Sequence, residues 1–149
     1  MARAPLQVIV IPFRRQSNGS YEYAVLHRAD SPMWQVVSGG AEDDESASEA
    51  AVREAWEEAG VPHDCPWMTL DARAAVPRRA FPTATHWPAD LFVVPEHAFA
   101  VDVTGQTLTL SAEHDEIRWL PFAAAEELLT WDSNCVALWE LNERLEQRG

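Results

Sequence analysis

Apolar and polar positions change period several times along this chain, and each change marks an element. Val8 to Phe13 and Tyr21 to Leu26 are short β-branched or aromatic runs separated by RRQSNGS, whose Asn18-Gly19 is a strong turn signal. A β-hairpin with a long loop is predicted there. Trp34 to Val37 reads as a brief strand leading into a Ser38-Gly39-Gly40 turn. The period then becomes helical: Ser46-x-x-Glu49 is a capping box, and Gly60 and Pro62 are stop signals, so a helix is predicted over Ala47 to Ala59. Trp67 to Ala75 alternates as a strand, and Pro77 to Pro88 carries three prolines and reads as an irregular surface loop, a candidate lid over substrate. Leu91 to Val94, Phe99 to Val103 and Thr107 to Leu110 read as strands, the last two joined as a hairpin across Gly105-Gln106. An acidic loop, Ser111 to Glu116, leads to a short strand at Ile117 to Leu120, and Pro121 opens a helix to about Leu129. Asp132-Ser133-Asn134 offers N-cap chemistry to a closing helix with Val136, Leu138, Trp139, Leu141 and Leu145 as its apolar face. Strands interleaved with about three helices imply an α/β (α+β) fold, a mixed sheet covered on both faces.

Composition narrows this reading. At 149 residues with 47% hydrophobic positions, the chain suits one globular domain, 1–149. Twenty-four acidic residues against eleven basic ones give a formal charge of −13, which repels phosphate backbones and anionic lipid. Nucleic acid and membrane are therefore not expected partners. Small phosphorylated substrates remain compatible if divalent cations stand between carboxylate and phosphate. All the basic residues are arginine, which excludes lysine Schiff-base and P-loop chemistry and suits phosphate recognition. Cys65 and Cys135 lack zinc or disulfide spacing. The N-terminal apolar run is too short for a signal peptide or a span, so a cytoplasmic location is expected.

The predicted helix carries the candidate chemistry. At about 100° per residue, Glu54, Glu57 and Glu58 share one face while Val52, Ala55, Trp56 and Ala59 oppose them and are expected to anchor the helix to the sheet. Arg53 reaches Glu57 at i+4 and Glu49 at i−4. One arginine cannot neutralise three carboxylates lining a cleft, whereas hard divalent cations can; the Ser38 carbonyl is a further candidate oxygen ligand. Arg14 and Arg15 read as solvated strand ends, and Arg28 as the better phosphate contact.

Gly39, Glu45, Arg53-Glu54-Ala55, Glu57-Glu58 and Gly60-Val61 fill every specified position of Gly-x5-Glu-x7-Arg-Glu-U-x-Glu-Glu-x-Gly-U, with U apolar. The segment thereby resembles the signature of the Nudix hydrolase family. Seven fixed letters give a chance match on the order of 10⁻⁸ per starting position, which sets aside a merely solvated acidic helix. The resemblance implies a Nudix-type α/β/α sandwich with a loop-helix-loop catalytic motif. It further implies that Glu54, Glu57 and Glu58 bind Mg²⁺ or Mn²⁺, that Arg53 and Glu45 hold the loop and helix together, and that Gly39 and Gly60 allow the turns. The catalytic base is expected to be Glu54, with Glu113 of the acidic loop as a further ligand or the base. Glu116 is the alternative in the same loop, and His114 is assigned a structural place.

The C-terminal part is similar to the family's dihydroneopterin triphosphate or dATP pyrophosphatases, which implies hydrolysis of a nucleoside or pterin triphosphate to monophosphate and pyrophosphate. Dinucleoside polyphosphates, ADP-ribose and nucleotide sugars are alternative substrates, and a non-hydrolytic nucleotide sensor is an alternative of another class. Arg28, Trp34 and Asn134 are the candidate substrate contacts, with Phe81, Trp87 and Trp131 as further stacking surfaces; helix capping is the other role open to Asn134. Homodimerisation is common in the family, and no interface is legible here.

Overall fold

The computed structural model describes residues 3–148; Met1, Ala2 and Gly149, the ends of the expected 1–149 domain, lie outside them. A seven-stranded mixed sheet carries three helices. Its centre is β1 (Arg3–Arg15), which runs parallel to β6 (Val93–Asp102) on one side, and β6 pairs antiparallel with β5 (Trp67–Pro77). The other side of β1 is divided. Its C-terminal end pairs with β2 (Tyr21–Arg28), and its N-terminal part with β4 (Val37–Glu42). β2 in turn pairs with β3 (Trp34–Gln35) and with β7 (His114–Leu120). The fork between β2 and β4 opens the sheet beside the acidic helix.

Alternation along the strands sorts the core into two layers. Val8, Val10, Ala24, Leu26, Phe99 and Val101 face α1 (Ala47–Ala59), while Ile9, Ile11, Phe13, Tyr23, Val25, Ala98 and Ala100 face α2 (Phe122–Leu128) and α3 (Asp132–Gln147). This is the expected α/β/α arrangement. The fifteen-residue pattern around α1 also holds: Ser46 and Glu49 form the reciprocal capping box, and Gly60 ends the helix in the left-handed region at φ 67°.

Several local expectations change. The Ser38-Gly39-Gly40 turn is strand, because its backbone pairs with β1 through Ile9, Val8 and Gln7. Leu91–Val94 and Phe99–Val103 merge into the single strand β6, and Thr107–Leu110 forms no strand. The amides of that last segment turn to the end of α1 instead, Thr109 N–H donating to Ala59 O at 2.9 Å and Ser111 N–H to Glu58 O at 3.1 Å. Pairing through Pro77 extends β5 into the proline-rich stretch, and Arg78–Ala80 then makes one 3₁₀ turn. Trp56 does not anchor α1; it is 54% exposed and stands edge-on to His63, while Ala50, Ala51, Ala55 and Ala59 make the buried face. Val136 and Trp139 are likewise exposed on α3, whose inner face is Ala137, Leu138, Leu141 and Leu145. None of the described helices is long and apolar enough to cross a membrane.

Candidate active site

Helix α1 lies against β4 so closely that side-chain volume is excluded between them. A Cβ on Gly39 would fall on the Glu54 carboxylate, and one on Gly40 on the Arg3 guanidinium. Gly39 needs no left-handed backbone; its missing Cβ leaves the space that the Glu54 carboxylate occupies, and only Gly60 of the two motif glycines serves a turn. Arg53 then fastens the loop to the helix. Its guanidinium donates to both Glu45 oxygens at 2.8 and 3.0 Å, to Glu54 Oε1 at 2.9 Å, to Glu57 Oε2 at 3.1 Å and to Gly40 O at 2.9 Å. This ring of anions raises the Arg53 pKa, the Glu45 hydrogen bonds contributing most, and the same contacts hold the Glu45 carboxyl below its ordinary range.

One turn further on, Glu58 is in a different state. It is 3% exposed, and neither carboxylate oxygen has a hydrogen-bond partner among the described residues. Burial, reinforced by Glu54 and Glu113, pushes its pKa up. The docking of residues 109–111 on the end of α1 brings the next residues to it: ligand atoms of Glu58, Glu113 and His114 lie within 4.8 Å of one another. His114 is buried, its Nδ1 3.9 Å from Glu58 Oε1 and its Nε2 3.3 Å from the Gln35 amide nitrogen. Burial, with Arg28 nearby, lowers its pKa and favours the neutral ring. An acidic group of this composition, with orphaned buried oxygens, fits a divalent cation bound through carboxylate oxygen and imidazole nitrogen.

The structure thus gathers Glu54, Glu58, Glu113 and His114. Glu57 stays at the rim, turned to Arg53 and half exposed. Glu116 points away to Arg118 at 2.7 Å, which separates it from Glu113. Arg28 is beside the cluster, but its guanidinium is closed by Asp30 at 2.8 and 3.0 Å. Its pKa is raised chiefly by that bond, and the charges of Glu113 and Glu58 add to it.

A cavity of about 800 Å³ adjoins the cluster, and Gln35 lines it while touching His114. Ser38 is on its wall, its hydroxyl accepting from Gln7 at 2.7 Å. Asn134 lines it too. Its Oδ1 accepts from Val36 N–H at 3.1 Å, so it pins the bend between β3 and β4 and does not cap α3, whose N-cap is Trp131. Phe81 and Trp131 flank the cavity; Trp87 is buried behind Phe81 at 5.6 Å between centroids, and Trp34 lies outside, its ring covered by the Arg118 guanidinium at 4.6 Å. The proline-rich stretch is a pinned wall: Arg78 donates to the carbonyls of Trp87, Pro88 and Leu91, and the Trp87 indole N–H bonds to Arg3 O at 2.8 Å.

Sequence reasoning passed over Glu96 and set His114 aside as structural. Glu96 lines the same cavity, is 7% exposed and has a partnerless Oε1. Its signal was its phase: position 96 alternates with the buried Ala98 and Ala100 of the same strand face.

Residues 4–139 match the family model for the NUDIX domain. A crystal structure of a candidate NUDIX hydrolase from Listeria monocytogenes is 45% identical, superposes with a TM-score of 0.87 and covers 97% of each chain. Dihydroneopterin triphosphate diphosphatase of Haemophilus influenzae is 25% identical over 88% of this chain and 83% of its own length. The Escherichia coli dihydroneopterin triphosphate pyrophosphohydrolase shares the fold at a TM-score of 0.76 and 22% identity, over 97% of this chain and 99% of that one.

Proposed function

The chain belongs to the NUDIX family and is a Nudix pyrophosphohydrolase; on that premise we propose that it cleaves a nucleoside or pterin triphosphate to the monophosphate and pyrophosphate. The observation that carries the reading is the buried, partnerless Glu58 carboxylate facing Glu113 and His114 beside a cavity of about 800 Å³. Such a carboxylate is costly unless a cation or proton accompanies it.

In this reading Glu58, Glu113 and His114 hold Mg²⁺ or Mn²⁺, joined by Glu54 and, from the rim, Glu57, with the Ser38 carbonyl as a further oxygen. When bound, the cation neutralises phosphate oxygens and lowers the pKa of the attacking water. Glu54 is the general base. One of its oxygens is held by Arg53 at 2.9 Å, which fixes the carboxylate so that the other can take a proton from water as its oxygen attacks phosphorus and the bridging P–O bond breaks. Arg53 keeps the base in place, and Glu45, Gly39 and Gly60 maintain the approach of loop and helix. Gln35 presents its amide nitrogen to His114 Nε2 at 3.3 Å and so holds the imidazole in place beside the cluster. Arg28 meets the polyphosphate when substrate competes with Asp30, and Asn134 offers the heterocycle the amide hydrogen that Ser133 does not take. The Haemophilus relative supports a triphosphate carrying a flat heterocycle.

The test is a Mg²⁺-dependent phosphate-release screen over nucleoside triphosphates, dihydroneopterin triphosphate, ADP-ribose, nucleotide sugars and dinucleoside polyphosphates. The expected result is pyrophosphate from a triphosphate. Binding without turnover of any of these would make the chain a sensor and overturn the proposal.

A further inference from the structure

The cavity beside the acidic cluster contains one group that hydrolysis does not use. Glu96 lies in β6, paired in register with Gln7 of β1 and Ala74 of β5, so its side chain stands on the cavity face of the sheet. It is 7% exposed, and its Oε1 has no partner among the described residues. Ser133 is the one side chain that steadies it, and burial raises its pKa. A buried carboxylate left this way is destabilising, so a ligand that donates to it gains more than it would from an exposed acid.

The other groups on the wall limit what that ligand is. Asn134 accepts Val36 N–H at Oδ1 and gives one Nδ2 hydrogen to Ser133 Oγ at 3.4 Å, so what it offers the cavity is its second Nδ2–H donor. Phe81 and Trp131 provide apolar faces for a planar ring. A ring presenting two adjacent N–H donors next to a carbonyl satisfies Glu96 with both donors and Asn134 with the carbonyl. Guanine and pterins have this amide-plus-amino edge. Adenine has one donor beside a bare ring nitrogen, which would face a carboxylate oxygen with lone pair against lone pair. Resting on the triphosphate reading above, we propose that Glu96 is the specificity-determining residue, accepting two hydrogen bonds from the amide-plus-amino edge of guanine or a pterin and discriminating against adenine.

The experiment is calorimetric binding of the non-hydrolysable α,β-methylene analogues of GTP, ITP and ATP in Mg²⁺, with wild type and Glu96→Gln. Wild type should bind the GTP analogue about 10- to 100-fold more tightly than the ATP analogue, and the ITP analogue, lacking the amino group, about 10-fold less tightly than GTP. Glu96→Gln, which replaces one acceptor by a donor, should shrink the GTP-over-ATP ratio at least about 10-fold. An unchanged ratio in a variant of normal melting temperature overturns the assignment. If that variant does not fold, equal affinity of wild type for the GTP and ITP analogues overturns it. The two proposals fail separately: turnover of ADP-ribose or dinucleoside polyphosphates alone, with base selectivity intact, sinks the triphosphate reading, whereas triphosphate turnover with equal kcat/KM for GTP, ITP and ATP sinks the role of Glu96.

Discussion

Glutamates on and beside helix α1 stand in opposite conditions. Around Arg53, Glu45, Glu54 and Glu57 share its fork, and each has a charge-assisted hydrogen bond. Next to them, Glu58 is more deeply buried than any of the three and has no hydrogen-bond partner among the described residues. The first arrangement is complete within the protein. The second is incomplete, and its stability depends on something the chain does not supply. A site prepared for a cation differs from an ordinary ion-pair network in this respect.

The largest effect expected from disturbing this contrast is on turnover. Glu58→Gln should lower kcat on the order of 10³-fold, measured by pyrophosphate release, and still leave the fold intact. An unpaired buried carboxylate replaced by an isosteric amide is neutral or favourable, so the metal-free melting temperature should hold or rise by about 2–4 °C. Glu57→Gln, at the rim, should cost less in kcat and slightly lower the melting temperature. Equal losses in the two variants, or a destabilised Glu58→Gln, would contradict the division.

Arg53→Ala should behave in the reverse way. Removing the cation leaves Glu45, Glu54 and Glu57 without their shared partner and the Gly40 carbonyl without its donor, at a cost of about 2–3 kcal/mol. For a chain of this size that is about 5–10 °C in melting temperature, and kcat falls as well because Glu54 loses its anchor. Smaller still is the response to metal. Mg²⁺ at ten times its Kd should stabilise wild type by about 1.4 kcal/mol, seen as a rise of about 3–5 °C that a chelator reverses. The rise should vanish in Glu58→Gln and persist, from a lower baseline, in Arg53→Ala.

How much of this was legible in the sequence followed from how local each interaction is. The bounds of α1 could be read because its caps are contacts between residues three apart, whereas Glu113 and Glu116 stayed alternatives until the structure turned Glu116 to Arg118 and set Glu113 beside Glu58. What lay beyond reach depended on distant partners. Gly39 and Gly40 look like a turn until Val8 and Gln7 are known to pair with them. Thr107–Leu110 looks like a strand until its amides are seen to serve the end of α1. Trp56 and Trp139 read as interior on hydrophobicity alone, yet alanines make the buried face of α1, and Ala137 with three leucines the inner face of α3, so both indoles stay exposed. His114 and Glu96 are single polar residues whose burial comes from strand register, and only their phase with apolar neighbours hinted at it.

The finest expected difference is one of sign. Folding depresses the pKa of Glu45, chiefly through Arg53; a depressed carboxyl binds fewer protons in the native state than in the unfolded one. Its contribution to stability is present above the ordinary carboxyl value near 4.5 and is lost as pH falls through the lower native value. Folding raises the pKa of Glu58, so the native state holds a proton that the unfolded chain has released, and the metal-free protein loses stability as pH rises above that same ordinary value. Melting curves in chelator from acid to mildly alkaline pH should therefore show a limb on each side. Glu45→Gln lowers the acidic limb, to which His114 also contributes, and leaves the alkaline one, whereas Glu58→Gln lowers the alkaline limb, to which Glu96 also contributes, and leaves the acidic one. Saturating Mg²⁺ should also lower the alkaline limb, because the cation replaces the proton as the partner of Glu58, while leaving the Arg53-dependent acidic limb in place. If Mg²⁺ lowered both limbs equally, Glu58 and the glutamates around Arg53 would be one coupled network and the cation site would extend to Arg53.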